Sequence, residues 1–325
     1  MTGAPATRKP TVVCITGPTA CGKTAAAVCL CELLSGEAIS MDSMQIYQRM
    51  TIGTAKPTPE EMRGVPHHML SVVPPEIAYT VADYQRDAWR AMADVFSRGK
   101  LPVFVGGTGL YLQAVSHPLG FAQAPADEGI RKALQEEALQ PGGAERLHAR
   151  LFAVDPITAE RLPIGNLRRV IRALEVYEAT GVPMSARLND WGAESEQDWH
   201  IFALRWPHEL LYERIDARAA QMVRAGLLDE VRELLEGGMP REAQALQAIG
   251  YKEMLPVLDG ECTLEEATAL IQMRSRRYAK RQMTWLRRDP RVQWLDAGEG
   301  ESAEGVAERI AGMMGEITPY MKGTT

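Results

Sequence analysis

A short segment near the N-terminus combines residue types that suit phosphate chemistry. It has the pattern G-x-x-x-x-G-K-T and consists of Gly17, Pro18, Thr19, Ala20, Cys21, Gly22, Lys23 and Thr24. Glycines let the backbone curl so that its N–H groups point at phosphate oxygens, Lys23 adds a positive charge, and Thr24 offers a hydroxyl to a magnesium ion. The pattern predicts a site for a phosphorylated ligand, and a triphosphate or a diphosphate would present the same oxygens.

The elements on either side of this segment are the ones that such a loop requires. Residues 11–16 form a short apolar run typical of a strand, and residues 25–34 are typical of a helix. The N-terminus of the helix adds a partial positive charge beside the phosphates. Strand, loop and helix in this order indicate a phosphate-binding loop in an α/β fold.

A second polar group follows another predicted strand. Residues 37–40 form that strand, and Asp42, Ser43 and Gln45 come directly after it. Because ligands bind at the carboxyl ends of strands in open α/β sheets, we expect these side chains to face the same crevice as the phosphate loop. The alternative is that Asp42 caps a helix.

A glycine-rich segment, residues 106–111, follows a predicted strand at residues 101–105. Paired glycines after a strand let the backbone approach a ligand closely. The strand does not end in the Asp with which a typical ATPase holds magnesium, and this argues against simple ATP hydrolysis.

Composition excludes several classes of protein. The 325 residues are 46% hydrophobic and 24% charged, and the net charge of -6 argues against a uniformly basic nucleic-acid coat. No apolar run approaches a membrane span and the N-terminus lacks the apolar core of a signal peptide, so we expect a cytoplasmic protein. The five cysteines and the pair His67-His68 show no spacing typical of a metal site or a disulfide framework.

The middle of the chain changes character, because strand-like runs disappear between residues 116 and 198. Three helices are predicted there, at residues 128–139, 143–151 and 166–179. We expect an all-helical insertion domain at 116–198 in an α/β core formed by residues 1–115 and 199–325. Arg168 and Arg172 fall on one face of the third helix, either as a contact surface or as a solvated face.

The C-terminal part returns to α/β character and ends in a basic helix. A strand is predicted at residues 200–206, a helix at 207–225 and a polar turn at 247–253. Residues 263–266 cap a long final helix. Its basic side chains are Arg274, Arg276, Arg277, Lys280, Arg281, Arg287 and Arg288. Because no acid interrupts this run before Asp289, it favours contact with a phosphate backbone over a solvated face.

Together these motifs resemble the tRNA dimethylallyltransferase family, also called tRNA isopentenyltransferases, of the bacterial type. The matching segments cover nearly the whole chain in the family's order, at residues 17–24, 42–47, 53–57, 106–111, 169–175, 226–231, 247–253 and 280–285. Cys21 stands where the family commonly has Ser, and its side chain need not contact the ligand. No zinc-binding tail like that of eukaryotic relatives is recognisable.

The resemblance implies a P-loop NTPase-like parallel sheet flanked by helices, and an enzyme that acts on tRNA without a membrane partner. It would act as a monomer and transfer a dimethylallyl group from dimethylallyl diphosphate to N6 of adenosine 37 in the anticodon loop, with Mg²⁺ as cofactor. Residues 17–24 would hold the diphosphate, Thr24 the metal, and Asp42 would accept the proton of the amine. Thr108 and Arg224 are implied as further catalytic residues that line the channel.

The resemblance also implies which residues contact tRNA. They are Asp42, Ser43, Met44, Gln45, Thr108, Asn166, Leu167, Arg168, Arg169, Val170, Gln247, Ala248, Ile249, Gly250, Tyr251, Lys252, Arg281, Arg287 and Arg288. Adenosine 37 would have to leave the anticodon-loop stack to reach the site, as in base-flipping enzymes. Unstacked loops are the usual places of sequence-specific RNA recognition.

Two other functions remain open from the residues. A small-molecule or nucleoside kinase would use ATP at the same loop with arginines as a lid, although the missing strand-end Asp counts against it. A non-catalytic RNA-binding protein would keep a vestigial nucleotide site, and the intact Lys23, Thr24 and Asp42 argue against that.

Overall fold

The structure, a computed structural model, describes residues 9–117, 127–188, 195–298 and 300–315. The chain divides into two compact units. Unit 1 comprises Met1–Ser116 and Ser195–Thr325, and unit 2 comprises His117–Glu194.

Unit 1 contains a six-stranded parallel sheet with the strand order β3-β2-β4-β1-β5-β6. The strands are β1 (Thr11–Thr16), β2 (Gly36–Ser40), β3 (His67–His68), β4 (Leu101–Val105), β5 (Asp198–Arg205) and β6 (Val292–Asp296). Val13 of β1 pairs with Val103 on one side and with His200 on the other. The loop that follows β1 therefore starts at the middle of the sheet's carboxyl edge, where ligands bind in folds of this kind.

Helices flank the sheet in unit 1 and make up unit 2. In chain order they are α1 (Lys23–Leu34), α2 (Pro59–Met62), α3 (Val81–Ser97), α4 (Gly109–Ser116), α5 (Glu128–Ala138), α6 (Gly143–Val154), α7 (Pro156–Arg161), α8 (Leu167–Thr180), α9 (Met184–Leu188), α10 (His208–Arg224), α11 (Leu227–Glu236), α12 (Tyr251–Leu258), α13 (Leu264–Leu286) and α14 (Ala303–Gly315). Helices α5 to α9 belong to unit 2.

Local signals decide where the longest helices begin. The Thr80 side chain accepts from the N–H of Asp83, and the Asp83 carboxylate accepts from the N–H of Thr80, which is a capping box at the start of α3. Thr263 and Glu266 form the same arrangement at the start of α13. The cap at Thr263 was predicted, because the residues that form it are close in sequence.

Alternate residues of the strands supply the apolar cores on the two faces of the sheet. Val12 and Cys14 of β1 belong to one cluster, and Val13 and Ile15 belong to the other. A run of buried residues on both faces is what a central parallel strand requires. All five cysteines are free thiols, and four of them are buried, as predicted.

Unit 2 has an apolar core of its own around Leu134, Leu147, Leu151 and Leu174. The carboxylate of Glu175 lies inside this unit with no exposed surface. Arg131 approaches it at 3.0 Å and Arg172 at 3.2 Å, so that its charge is compensated. The regular elements among the unit's described residues are all helices.

The structure differs from the predicted elements in several places, among them β3, which was not predicted. The fifth strand begins at Asp198 rather than at residue 200, because Asp198 pairs with Thr11. The predicted polar turn is present but shorter than residues 247–253, since a turn at 248–250 joins a 3-10 helix, Gln244–Gln247, to α12. The basic helix α13 is not the final element, since β6 and α14 follow it. Residues 118–126 and 189–194 of the predicted insertion at 116–198 lie outside the described residues.

The parallel α/β sheet flanked by helices confirms the predicted fold class. Over the described ranges, no helix combines the length and apolar character that crossing a bilayer demands.

Candidate active site

The phosphate loop, residues 17–24, connects β1 to α1. Gly17 has a φ of +143°, and a Cβ atom there would lie 2.9 Å from the carbonyl oxygen of Leu204, so a larger residue would not fit. Lys23 Nζ donates to the carbonyl oxygen of Pro18 at 3.2 Å, which holds the ammonium group against the loop. The Lys23 charge and the N-terminus of α1 therefore act on the same space.

Three side chains hydrogen-bond to backbone atoms of the phosphate loop. The Oε1 atom of Gln282 accepts from the N–H of Thr19 at 2.9 Å. The carbonyl oxygens of the next two loop residues accept from Arg214 Nε at 2.9 Å and from Trp206 Nε1 at 3.0 Å. The expectation that the loop's N–H groups point at the ligand is therefore wrong for Thr19, whose N–H is occupied by Gln282.

The glycines after β4 allow a close approach of protein atoms. A Cβ atom at Gly107 would lie 2.1 Å from Gln282 Nε2, and one at Gly106 would lie 2.1 Å from the carbonyl oxygen of Met41. Gln282 Nε2 donates to the carbonyl oxygen of Gly107 at 2.8 Å. One buried amide thus joins the phosphate loop to the loop after β4. The sequence predicted that these glycines admit a ligand. Gly107 and Gly109 instead lie against Gln282 and Trp285 of α13, whereas Gly106 lies against Met41 and also lines the cavity described below.

Asp42 lies just past the end of β2 and lines the cavity described below. Its Oδ1 atom accepts from the N–H of Met44 at 2.9 Å and of Gln45 at 3.4 Å. The carboxylate therefore caps the turn that follows it, as the alternative interpretation of this residue required. Over the described ranges, no hydrogen bond engages Oδ2, which leaves one acceptor atom for another partner.

Thr108 and Tyr278 lie close to Asp42. The N–H of Ser43 donates to Thr108 Oγ1 at 3.2 Å. Tyr278 lines the cavity described below, and Thr108 does not. Burial raises the pKa of Tyr278 to about 12, and the nearby Asp42 charge adds to the rise. The phenol therefore stays protonated and can donate a hydrogen bond. Sequence analysis assigned Tyr278 no role, because an aromatic residue inside a basic run gives no sign of which way it faces.

A single cavity of about 1160 Å³ in unit 1 brings these groups together. Arg218 of α10 also lines it, and the described residues supply no ion pair or hydrogen bond to its guanidinium group. Burial lowers the pKa of Arg218, and the Asp42 carboxylate opposes that shift. A partly desolvated cation without a fixed protein partner is suited to binding an anionic ligand.

Arg224, which was expected to be catalytic, lies on another part of α10. It is exposed in the last turn and does not line the cavity. Six residues separate it from Arg218, and at about 100° per residue the two side chains leave the helix on different faces. The spacing of Arg214, Arg218 and Met222 at four-residue intervals is the sequence signal that could have identified Arg218 instead.

Glu230 joins three of the sequence motifs. One carboxylate oxygen accepts from the N–H groups of Thr51 and Ile52, both at 2.8 Å. The other accepts from the N–H of Gly53 at 3.2 Å and from the hydroxyl of Tyr251. The loop at residues 51–57, which lines the cavity through most of its length, is therefore fixed by a buried carboxylate from α11.

The segment at residues 247–252 divides into two groups. The members that line the cavity are Gln247, Ala248, Ile249 and Lys252. Tyr251 is 0% exposed and Gly250 is buried, so neither reaches the cavity. Gln45, another predicted tRNA contact, lines the cavity but donates its amide hydrogens to two carbonyl groups of loop 51–57, at 3.1 and 3.2 Å.

The outer face of α13 carries its solvent-exposed positive charge. These exposed side chains, which form no ion pair within the described residues, are Arg277, Lys280, Arg281, Arg287 and Arg288. Arg281 also lines the cavity. Arg274 instead pairs with Glu253, and Arg276 pairs with Asp216. The basic run of the sequence thus contains two arginines that form ion pairs within unit 1.

In unit 2, the segment predicted to contact tRNA begins α8. Arg168 and Arg169 are exposed, whereas Val170 is 0% exposed and belongs to the unit's apolar core. Arg172, predicted to share a face with Arg168, is partly buried and approaches Glu175. The two remaining members of the segment are partly buried, Asn166 and Leu167.

Comparisons with known proteins agree on one family. A family model described as IPP transferase matches residues 45–289, and one described as isopentenyl transferase matches residues 10–72. The tRNA dimethylallyltransferase of Geobacillus kaustophilus is 45% identical over 312 residues, which cover 96% of each chain. That of Carboxydothermus hydrogenoformans is 44% identical over 301 residues, which cover 92% of this chain and 96% of its own. The chain belongs to the IPP transferase family.

Solved structures of two IPP transferase relatives share the fold. The tRNA isopentenylpyrophosphate transferase from Bacillus halodurans matches with a TM-score of 0.71 and 42% identity, over 95% of this chain and 97% of its own. A eukaryotic dimethylallyltransferase acting on tRNA matches with a TM-score of 0.80 and 28% identity, over 94% of this chain and 79% of its own. The predicted family resemblance is confirmed.

Proposed function

We propose that this IPP transferase moves a dimethylallyl group from dimethylallyl diphosphate to N6 of adenosine 37 in the anticodon loop of tRNA, with release of diphosphate. The names of the relatives, tRNA dimethylallyltransferase, support the reaction class. The observation that carries the proposal is the shared cavity. Cationic groups of the phosphate loop and α10 line the same space as Asp42, whose Oδ2 is an available acceptor.

The diphosphate is the leaving group and is proposed to occupy residues 17–24. Negative charge develops on its bridging oxygen as the allylic C–O bond breaks. Lys23, Arg218 and the N-terminus of α1 stabilise that charge in the transition state, because all three lie at the cavity before the ligand arrives. Arg224 faces away from this cavity, and we propose for it at most a contact with tRNA.

A magnesium ion fits this donor set. Across the described residues, no group of three or more His, Cys, Asp or Glu side chains is arranged to hold a metal. Mg²⁺ commonly binds through one or two protein oxygens, substrate phosphates and waters, so a site of that kind does not need such a cluster. Thr24, which lines the cavity, is the proposed ligand. The bound ion would neutralise charge on the departing diphosphate.

The acceptor amine loses a proton as its bond to the prenyl carbon forms. Asp42 is the proposed general base, with Oδ2 taking the proton while Oδ1 stays bonded to the following turn. Thr108, which accepts from the N–H of Ser43, and Tyr278, whose phenol lines the cavity, are proposed to orient the adenine. The C–N bond that forms and the C–O bond that breaks balance the transfer.

The exposed basic side chains are proposed to hold tRNA. Those on α13 have no acidic partner in the described part of the chain, and RNA phosphates would supply the missing counterions. The adenine would then leave its stack and enter the cavity, whose walls include Gln247 and Lys252. Arg168 and Arg169 are the proposed contacts from the insertion domain at 116–198.

One copy of the chain is proposed to be sufficient for the reaction. Every residue that lines the cavity comes from unit 1 of the same chain, so no second copy is needed to complete it. Activity that rises in proportion to enzyme concentration, at concentrations where sedimentation shows a monomer, would support this. Activity confined to a dimeric fraction would contradict it.

One assay separates the proposed function from the alternatives. Protein, tRNA lacking the modification and dimethylallyl diphosphate labelled in the prenyl group are mixed with Mg²⁺, and label is measured in RNA. We expect transfer without ATP, at adenosine 37 and not in a tRNA with guanosine there. ATP-dependent formation of ADP would indicate a kinase, and tRNA binding without either reaction would indicate a binding protein.

A further inference from the structure

Two helices of unit 1 change from polar to apolar along their cavity-facing sides. On α10, Arg214, Arg218 and Met222 line the cavity at four-residue intervals, beside Ala217, Gln221 and Ala225. On α13 the lining residues, in the direction of the N-terminus, are Gln282, Arg281, Tyr278, Ser275 and Ile271. The row at four-residue intervals on α10 and the row on α13 both begin with polar side chains and end in hydrocarbon, at Met222 and Ile271.

The polar ends of both sides lie at the phosphate loop. Arg214 Nε donates to the carbonyl oxygen of Ala20 at 2.9 Å, and Gln282 Oε1 accepts from the N–H of Thr19 at 2.9 Å. With increasing distance from the loop, residue numbers therefore increase along α10 and decrease along α13. The apolar ends of the two helices lie on the same side of the phosphate site.

The distance from the charges to the apolar stretch matches a short prenyl chain. Met222 follows Arg218 by four residues, which corresponds to about 6 Å along the helix axis. Met222 also packs against the buried cluster that contains Ile271, and Ile249 does the same from the segment before α12. These three side chains all line the cavity, so its wall at this level is continuous with the apolar core.

We propose that Met222 is a specificity-determining residue that limits the donor to a single isoprene unit. The proposal rests on the proposed function, because it takes the diphosphate to lie at residues 17–24. With the diphosphate held there, the prenyl group extends along α10 to the level of Met222 and Ile271. A donor with one more isoprene unit would have to displace Met222, which is held by the core behind it.

The test compares two donors in the full-length protein with tRNA and Mg²⁺. Values of kcat/KM are measured for dimethylallyl diphosphate and for geranyl diphosphate, which has one more isoprene unit. Wild-type protein should strongly prefer the first. Met222→Ala removes Cγ, Sδ and Cε from the wall. We expect the ratio of kcat/KM for geranyl diphosphate to kcat/KM for dimethylallyl diphosphate to rise by about 10- to 200-fold, which is the usual extent of size discrimination by an apolar pocket.

The matched control is Val223→Ala. Val223 is the next residue of α10 and packs against the same apolar cluster, but it does not line the cavity. The ratio should stay at the wild-type value in this variant. If Met222→Ala does not fold, Met222→Val shortens the side chain less and should change the ratio in the same direction. Met222→Phe should lower kcat/KM for dimethylallyl diphosphate by narrowing the wall.

The outcomes distinguish this inference from the proposed function. If the wild-type protein transfers no dimethylallyl group to tRNA, the proposed function is wrong. If it transfers that group but uses geranyl diphosphate equally well, the wall does not limit the donor. An unchanged ratio in Met222→Ala, or an equal rise in Val223→Ala, would overturn the role of Met222 while leaving the transfer reaction intact.

Discussion

The inner and outer sides of α10 and α13 hold their polar side chains in different ways. On the inner side, Gln282 makes two hydrogen bonds to backbone groups, and Arg218 faces a cavity that it shares with Asp42. On the outer side, Arg224 and Arg287 are exposed and do not line the cavity. The same residue type thus serves a fixed, partly desolvated site on one side of a helix and a solvated surface on the other.

This difference teaches what each side can contribute to a reaction. A charge that is held in a cavity before the ligand arrives can stabilise a transition state without reorganisation. A solvated charge contributes mainly long-range attraction and release of counterions, both of which depend on salt. Substitutions on the inner side should therefore change chemistry and small-ligand affinity, and those on the outer side should change the salt dependence of tRNA binding.

The largest effect is expected for Asp42→Asn. Asn is nearly isosteric and keeps an oxygen that can accept from the following turn, but it cannot take up a proton. Loss of a general base commonly costs about 100- to 10,000-fold in rate. Single-turnover rates with saturating tRNA should show this loss, because they exclude product release.

The tRNA dissociation constant of Asp42→Asn should stay near the wild-type value. Asp229→Asn, an exposed carboxylate on α11, is the control and should keep the wild-type rate. Normal single-turnover chemistry in Asp42→Asn would assign the base elsewhere. A failure to bind tRNA would make Asp42 a positioning residue.

The next largest effect is expected to differ between two arginines of α10, Arg218 and Arg224. Arg218→Gln should raise the dissociation constant for dimethylallyl diphosphate by about 10- to 100-fold, because a hydrogen bond to a charged group contributes about 1.5–3 kcal/mol. Arg224→Gln removes the same charge from the exposed side and should leave that constant unchanged. Isothermal titration calorimetry measures the dissociation constant of each variant. Equal effects in the two variants would remove the distinction between the sides of α10.

A smaller effect is expected when Arg281, Arg287 and Arg288 are all changed to Gln. The slope of log K against log salt for tRNA binding should fall by about 0.7 to 0.9 for each phosphate that the protein no longer neutralises. Diphosphate affinity should be unchanged. The control changes three exposed arginines that have acidic partners, Arg205, Arg232 and Arg309. If both triple variants flatten the slope equally, net charge rather than the face of α13 is responsible.

The smallest effect is expected for Arg276→Gln on α13. This arginine pairs with Asp216 at a partly exposed position, and such pairs contribute about 0–1 kcal/mol to stability. The free energy of unfolding in urea should fall by no more than that, and the salt slope of tRNA binding should not change. A flattened slope would mean that Arg276 leaves Asp216 to bind RNA.

Sequence predicted the parts of the site that depend on neighbouring residues. The loop at 17–24 needs only a strand before it and a helix after it, and the caps at Thr80 and Thr263 are formed within four residues. The side-chain environment of Gln282 could not be predicted in the same way. Its partner Thr19 is 263 positions away, and no periodicity within α13 indicates that contact.

The burial of individual side chains could not be predicted from the sequence either. Tyr251 and Val170 belong to segments that match the family, yet both are fully buried and stabilise the fold. The reverse holds for Arg218 and Tyr278, which looked like ordinary members of charged helices and line the cavity. A motif shows that a segment matters, whereas the tertiary fold decides which of its side chains meet a ligand.

The position of β1 between β4 and β5 has a consequence for synthesis on the ribosome. Until Asp198–Arg205 has been made, β1 lacks one neighbour, and Thr19 lacks Gln282 for longer still. We therefore expect a nascent chain that stops before Asp198 to expose β1 as an open sheet edge, which favours aggregation or a chaperone. Limited proteolysis of stalled chains would test this, and early protection of residues 11–24 would contradict it.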